Sequence, residues 1–161
     1  MRIVEFSEKY TEDVKDLLVE LQEYIVAIDD WHLNIMTPEY REKYFEKICI
    51  ECLKGEGKIF LAIDENDKAI GLICGNITER DEYDKIDYTC PKTGNVDELI
   101  VSKSSRCGGV GQKLLEYMEN YYRSIGCEYC HIDVFEPNIL GKKFYDKHNY
   151  TTRLRSLSKK L

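Results

Sequence analysis

The stretch Val101-Ser102-Lys103-Ser104-Ser105-Arg106-Cys107-Gly108-Gly109-Val110-Gly111-Gln112-Lys113-Leu114-Leu115 decides how the rest of the chain is read. Before it lies an apolar run from Asn95 to Val101. After it, Val110, Leu114, Leu115, Met118, Tyr122 and Ile125 recur at helical spacing, so the stretch reads as a strand-to-helix junction with three glycines. The first amides of a helix lack internal partners and carry the positive end of its dipole, and glycine lets an anion approach them closely. Such a junction suits a phosphate or diphosphate. Two familiar nucleotide loops do not fit. The pattern GxGxxG begun at Gly109 requires a third glycine where Leu114 stands, and no glycine precedes a Lys-Ser or Lys-Thr pair as GxxxxGK[ST] demands.

Working outward, Gly126 ends the helix, Tyr129 to Phe135 reads as a strand, and Pro137-Asn138 breaks the chain. A short helix from Leu140 to about His148 follows, and Tyr150 to Leu157 alternates like a closing strand. Upstream, Lys58–Asp64 and Ala69–Ile77 flank the polar turn Glu65-Asn66-Asp67-Lys68 as a β-hairpin. The chain opens with a strand from Arg2 to Ser7. A helix capped by Thr11 then presents Val14, Leu17, Leu18, Leu21 and Ile25, and a second helix entered through Thr37-Pro38 buries Tyr44, Phe45, Ile48 and Cys52. No repeat, low-complexity segment or linker interrupts residues 1–161, so a single domain is expected.

Bulk properties narrow the function. With 43% hydrophobic and 33% charged residues and a mean hydropathy of -0.46, the chain has the composition of a water-soluble globular protein. No apolar stretch approaches the roughly 20 residues needed to span a bilayer, and Met1-Arg2-Ile3-Val4-Glu5-Phe6 lacks a signal-peptide core, so a cytoplasmic protein without membrane contact is expected. A net charge of -7 with no basic stripe argues against nucleic acid as a partner and favours the approach of cations. Seven cysteines, an odd number outside any loop-rich framework, imply reduced thiols.

At Arg106-x-x-Gly109-x-Gly111 the chain resembles the GNAT superfamily of N-acetyltransferases, whose acetyl-CoA signature is RxxGxG. Asp97-Glu98-Leu99-Ile100-Val101 looks like the strand that precedes this signature in the family. Asn138-Ile139-Leu140-Gly141-Lys142-Lys143-Phe144-Tyr145-Asp146-Lys147-His148-Asn149-Tyr150 looks like its NxxAxxFYxxxGF segment. Departures are modest. Cys107 stands for a frequent glycine, Gly141 for an alanine, and Asn149 for a glycine, asparagine being tolerant of the left-handed backbone.

The resemblance implies a mixed α/β (α+β) fold: a mostly antiparallel central sheet of six to seven strands, helices on both faces, and two parallel central strands that splay apart. Acetyl-CoA would lie in the splay. Leu99, Ile100 and Val101 would offer main-chain contacts to its pantetheine arm, and Arg106, Cys107, Gly108, Gly109, Val110, Gly111 and Gln112 would hold its pyrophosphate. Asn138 and Gly141 would flank the arm. Tyr145, aligned with the family's tyrosine, is the implied general acid, since a phenol suits protonation of a departing thiolate. Asp97 is the leading candidate base. Glu98 is the second candidate base, although on a regular strand it should point to the opposite face.

The implied reaction is direct transfer of the acetyl group to the primary amine of a small cationic acceptor, such as an aminoglycoside or polyamine, without metal. Asp29, Asp30 and Trp31, between the first two helices, are candidate acceptor contacts. A peptide N-acetyltransferase and a non-catalytic acetyl-CoA-binding module are the alternatives. Two CxxC pairs, Cys49/Cys52 and Cys127/Cys130, raise a four-thiolate zinc site, although both fall in predicted helix or strand rather than in glycine-bearing knuckles. A homodimer is compatible with the family, but no linear pattern marks a pairing surface.

Overall fold

The computed structural model describes Met1–Leu161. Its elements, in chain order, are β1 (Arg2–Glu5), α1 (Thr11–Ala27), α2 (Tyr40–Cys52), β2 (Lys58–Ile63), β3 (Ala69–Ile77), β4 (Thr93–Val101), α3 (Val110–Ser124), β5 (Tyr129–Ile132) and α4 (Ile139–Lys147), with short 3-10 turns at Glu8–Tyr10, Asp84–Ile86 and Lys103–Ser105. The strands form one sheet in the order β1-β2-β3-β4-β5, antiparallel except for the parallel pair β4–β5.

Strand β2 shows why helices cover both faces. Successive side chains leave a strand in opposite directions. Ile59, Leu61 and Ile63 join Val14, Leu18, Ile48 and Cys52 beneath α1 and α2. Phe60 and Ala62 join Val110, Leu114, Met118 and Tyr122 beneath α3. Each half of the core thus uses one parity of the same strand.

The hairpin, the glycine junction and the helices lie where the sequence places them, and the ends of elements differ. The 3-10 turn ahead of α1 makes Tyr10 its N-cap and Thr11 its first helical residue. The second helix starts at Tyr40, after a turn closed by the Tyr40 amide on the Thr37 carbonyl. The larger correction is at the C-terminus. The expected closing strand from Tyr150 to Leu157 does not form, and the sheet has five strands rather than six to seven. Leu154 and Leu157 are exposed, and Arg153, Arg155, Lys159 and Lys160 would each lose hydration on joining a sheet. Tyr150 is the last side chain that is not exposed, its hydroxyl meeting Glu119 and the Cys130 sulfur, and beyond it Arg153 donates to the Tyr88 hydroxyl at 3.0 Å.

Candidate acetyl-transfer site

The sheet opens where β4 outruns β5. The two strands pair from Thr93 opposite Tyr129 to Val96 opposite Ile132, and β4 then continues to Val101 without a partner on that side. The backbone from Asp97 to Val101 therefore lines a fork. Leu99, Ile100 and Val101, expected to meet the pantetheine arm, all lie on this open edge. One group there is already engaged, since the Val101 carbonyl accepts from Arg106 Nε at 3.0 Å.

A bulge decides what the fork displays. On β3, Cys74 pairs with Glu98 and Gly75 with Val96, so Asp97 is the extra residue. A regular strand would send Asp97 and Glu98 to opposite faces, as the sequence reading assumed. The bulge instead turns both toward α2. Asp97 Oδ2 accepts from the Cys52 thiol at 3.3 Å, and Glu98 accepts from the Tyr44 hydroxyl. Burial raises the pKa of Asp97; the Cys52 hydrogen bond opposes this, Glu51 and Asp133 raise it further, and Lys47 lowers it. Burial also raises Glu98, opposed by the Tyr44 hydroxyl and reinforced by the negative charge of Asp97. Both carboxylates are thereby better bases than an exposed acid.

Beyond the fork, the glycine junction forms an anion cradle. No backbone or side-chain acceptor engages the amides of Cys107 to Gln112; the first α3 turn closes with Lys113 N–H on the Gly109 carbonyl, and that turn contains no acidic residue. Six donors at the positive end of a 15-residue helix can surround an anion. Gly109 caps α3 at φ +74°, a conformation costly to any residue with a Cβ. Cys107, standing for a family glycine, is held at φ +66° and bears that cost. Cys107→Gly is therefore expected to stabilise the chain by about 0.5 kcal/mol after the added chain entropy of glycine is subtracted. In a thermal melt this is a rise of roughly 1–2 °C, with CoA affinity retained.

The Arg106 guanidinium, though exposed, reaches α1 and pairs with Glu20 at 3.0 Å, and the same Glu20 oxygen accepts from Lys103 N–H at 2.9 Å. Glu20 was not singled out in the sequence. One turn further along α1, the Tyr24 hydroxyl donates to Asn138 Oδ1 at 3.1 Å, and that oxygen also caps α4 through the Gly141 amide at 2.9 Å. Glu20 and Tyr24 form an i,i+4 polar row beside the apolar stripe of α1, the only trace their role leaves in the sequence.

Helix α4 carries Tyr145, whose ring packs edge-on to Phe144 and Tyr150. Its hydroxyl has no partner within the protein and is not sealed from solvent. Burial, then the negative charges of Glu98 and Cys130, raise its pKa.

The candidate acceptor residues separate. Asp29 is only 4% exposed; its carboxylate accepts from the amides of Trp31, Leu33 and Asn34 and from Asn34 Nδ2, so it builds the α1–α2 loop. Asp30 and Trp31 are the exposed members, Trp31 at 53%. The two CxxC pairs do not converge: Cys49 and Cys52 join the core under α1 and α2, while Cys127 and Cys130 lie on the α3 side.

A family model, acetyltransferase (GNAT), matches residues 25–150, well over half of the chain. The chain belongs to the GNAT family. The family's donor is acetyl-CoA. An uncharacterized N-acetyltransferase of Methanocaldococcus jannaschii is 38% identical over 61 residues, a match spanning 37% of this GNAT chain and 39% of that relative's length. Among solved structures, a variant of the BH1408 protein from Bacillus halodurans shares 19% identity with a TM-score of 0.81, over 100% of this chain and 99% of its own. An aminoglycoside N-acetyltransferase solved in complex with CoA shares 15% identity with a TM-score of 0.71, over 99% of this chain and 98% of its own. No helix of this GNAT chain is long and apolar enough to cross a membrane.

Proposed function

We propose that residues 1–161 act as one acetyltransferase domain that moves the acetyl group of acetyl-CoA directly to the primary amine of a small cationic acceptor. The observation that carries this reading is the conjunction of a bulged, partnerless β4 edge with the unsatisfied amides of Cys107 to Gln112 at one end of it. The diphosphate of CoA binds at these amides and the acetyl-bearing arm runs along β4 from Val101 toward Asp97. A main-chain N–H at Ile100 or Val101 polarises the thioester carbonyl. Asp97 removes a proton from the ammonium, through water, and the freed nitrogen attacks the carbonyl carbon. As the carbon–sulfur bond breaks, Tyr145 protonates the thiolate, and the second proton shed by the nitrogen as the amide forms returns to the tyrosine through solvent.

The local field favours a cationic acceptor. Asp97, Glu98, Asp133 and Glu51 lie near one another at the fork, with Lys47 the one opposing charge among the groups that set the Asp97 and Glu98 titrations. Such a site concentrates cations and slows anionic amines. The aminoglycoside N-acetyltransferase noted above acts on an acceptor of this class.

Two measurements test the proposal. Calorimetry is expected to show binding heat with both CoA and acetyl-CoA, and thiol release from acetyl-CoA is expected to accelerate with kanamycin or spermidine more than with acetylated, uncharged analogues. Folded protein that gives no heat with either coenzyme would overturn the reading.

A further inference from the structure

Two carboxylates stand at the fork, and the surrounding side chains treat them differently. Glu98 is half-buried and Tyr44 donates to its Oε1. Asp97 is open to solvent on one side, and only one of its oxygens is engaged. Oδ2 accepts from Asn76 Nδ2 at 2.7 Å and from the Cys52 thiol at 3.3 Å, whereas Oδ1 has no protein partner. The carboxylate is pinned at one oxygen and open at the other.

The pin is itself held. Asn76 and Asn95 are opposite residues of β3 and β4, one pair before the bulge, next to Gly75 and Val96. Asn95 Nδ2 donates to Asn76 Oδ1 at 3.1 Å, and Asn95 Oδ1 accepts from the Thr78 hydroxyl at 3.0 Å. From α3, the Tyr122 hydroxyl donates to the Asn95 carbonyl at 2.5 Å. With its oxygen occupied by Asn95, the Asn76 amide has one orientation that satisfies both neighbours, and it aims the N–H at Asp97. A flipped amide would set oxygen against carboxylate and nitrogen against nitrogen. Without the bulge, Asp97 would leave the sheet on the other face, out of reach.

We propose that Asn76 is a positioning residue for acetyl transfer: it fixes Asp97 through Oδ2 so that Oδ1 faces the fork as the proton acceptor. The proposal rests on the acetyltransferase reading and deepens it by choosing between the two carboxylates. A donor to the charged form of an acid stabilises that form. The groups that face Asp97 are Asn76 and Cys74 from β3, Cys52, Glu51 and Lys47 from α2, Glu98 from β4, Tyr122 from α3 and Asp133 following β5. Removing the Asn76 donor leaves the acidic neighbours in place, so the Asp97 titration moves up. A charge-assisted hydrogen bond of ordinary strength corresponds to a shift of about one unit.

The test uses the full chain. Carbon-13 NMR of aspartate carboxyls, with Asp97→Asn to assign the resonance, is expected to show the Asp97 midpoint rising by about one unit in Asn76→Ala and further in the isosteric Asn76→Asp, which replaces a donor by an anion. The acidic limb of kcat/KM for acetyl-CoA with spermidine is expected to move by the same amount. Should Asn76→Ala misfold, Asn76→Asp carries the measurement. An Asp97 midpoint that stays put in the folded variants overturns the role of Asn76. An Asp97→Asn variant that keeps the wild-type acidic limb overturns the choice of Asp97, and the proposal with it. Absence of CoA binding heat in the wild-type chain would instead remove the acetyltransferase reading on which both stand.

Discussion

Tyr145→Phe is expected to lower kcat about 100-fold or more while leaving the affinity for CoA close to that of the wild type. The hydroxyl makes no hydrogen bond within the protein, so its removal strands no buried partner and the fold should lose little stability. The ring keeps its contacts with Phe144 and Tyr150, so α4 stays where Asn138 and its cap hold it. What disappears is a proton held at the end of the fork. Burial and the negative charge of Glu98 keep that proton on the phenol through neutral and mildly alkaline pH. The hydroxyl therefore enters the reaction as a donor, and its own ionisation should not produce an alkaline limb below about pH 10, the ordinary midpoint of a phenol. Steady-state kinetics across pH, paired with CoA calorimetry on the same preparation, separate the two effects. Full turnover in the phenylalanine variant would place the acid elsewhere, with a bound water or direct release of the thiolate as the remaining routes.

The sequence exposed the periodic and the compositionally unusual parts of this site. The glycine junction was legible because left-handed φ and free helix amides require a narrow set of residues, and the helix stripes because burial repeats every three or four positions. The segment from Asn138 to Tyr150 was legible through its resemblance, and Asn149 adopts the left-handed φ of +64° expected of a residue standing for glycine. What stayed hidden depends on contacts between distant segments. The bulge at Asp97 leaves no local signal, because it is a mismatch of register between two strands rather than a property of either one. Its consequence, two carboxylates on one face, inverted the expectation for Glu98. Asp29 read as a candidate acceptor contact because its hydrogen bonds go to amides two to five residues ahead, a local turn that composition does not distinguish from an exposed clamp. The tail misled in the other direction. The alternation from Tyr150 to Leu157 satisfied the strand period, but the period says nothing about the cost of placing arginines against a short edge strand.

The bulge also supplies the most destructive single substitution available near the site. A Cβ on Gly75 would fall 1.9 Å from the Asn95 carbonyl oxygen and 2.4 Å from the Tyr122 hydroxyl, and neither can retreat cheaply. The carbonyl belongs to the backbone of the partner strand. The hydroxyl lies at the end of a ring that is 2% exposed and hydrogen-bonded to that same carbonyl. Gly75→Ala must therefore either spread β3 from β4 or expel Tyr122 from the core. Overpacking and a broken buried hydrogen bond together are expected to cost about 3 kcal/mol, a fall in Tm of roughly 6–12 °C for a chain of this size. The chemical loss should exceed the thermal one. Spreading the strands displaces Asn95, Asn76 and the extra residue Asp97 together, so the carboxylate loses its aim even in molecules that remain folded. At a temperature well below the lowered Tm, transfer to spermidine is expected to fall by at least 10-fold, while the α3 amides, which do not depend on the bulge, continue to bind CoA. For thermal stability alone, Gly111→Ala is the matched control, its place in the anion cradle keeping it out of the activity comparison. Its Cβ would meet Val101 Cγ2 at 3.5 Å and Phe144 at 3.6 Å, ordinary contacts that the core accommodates. If Gly75→Ala retains wild-type turnover when folded, the bulge does not set the geometry of the base, and the assignment of Asp97 would have to be given up.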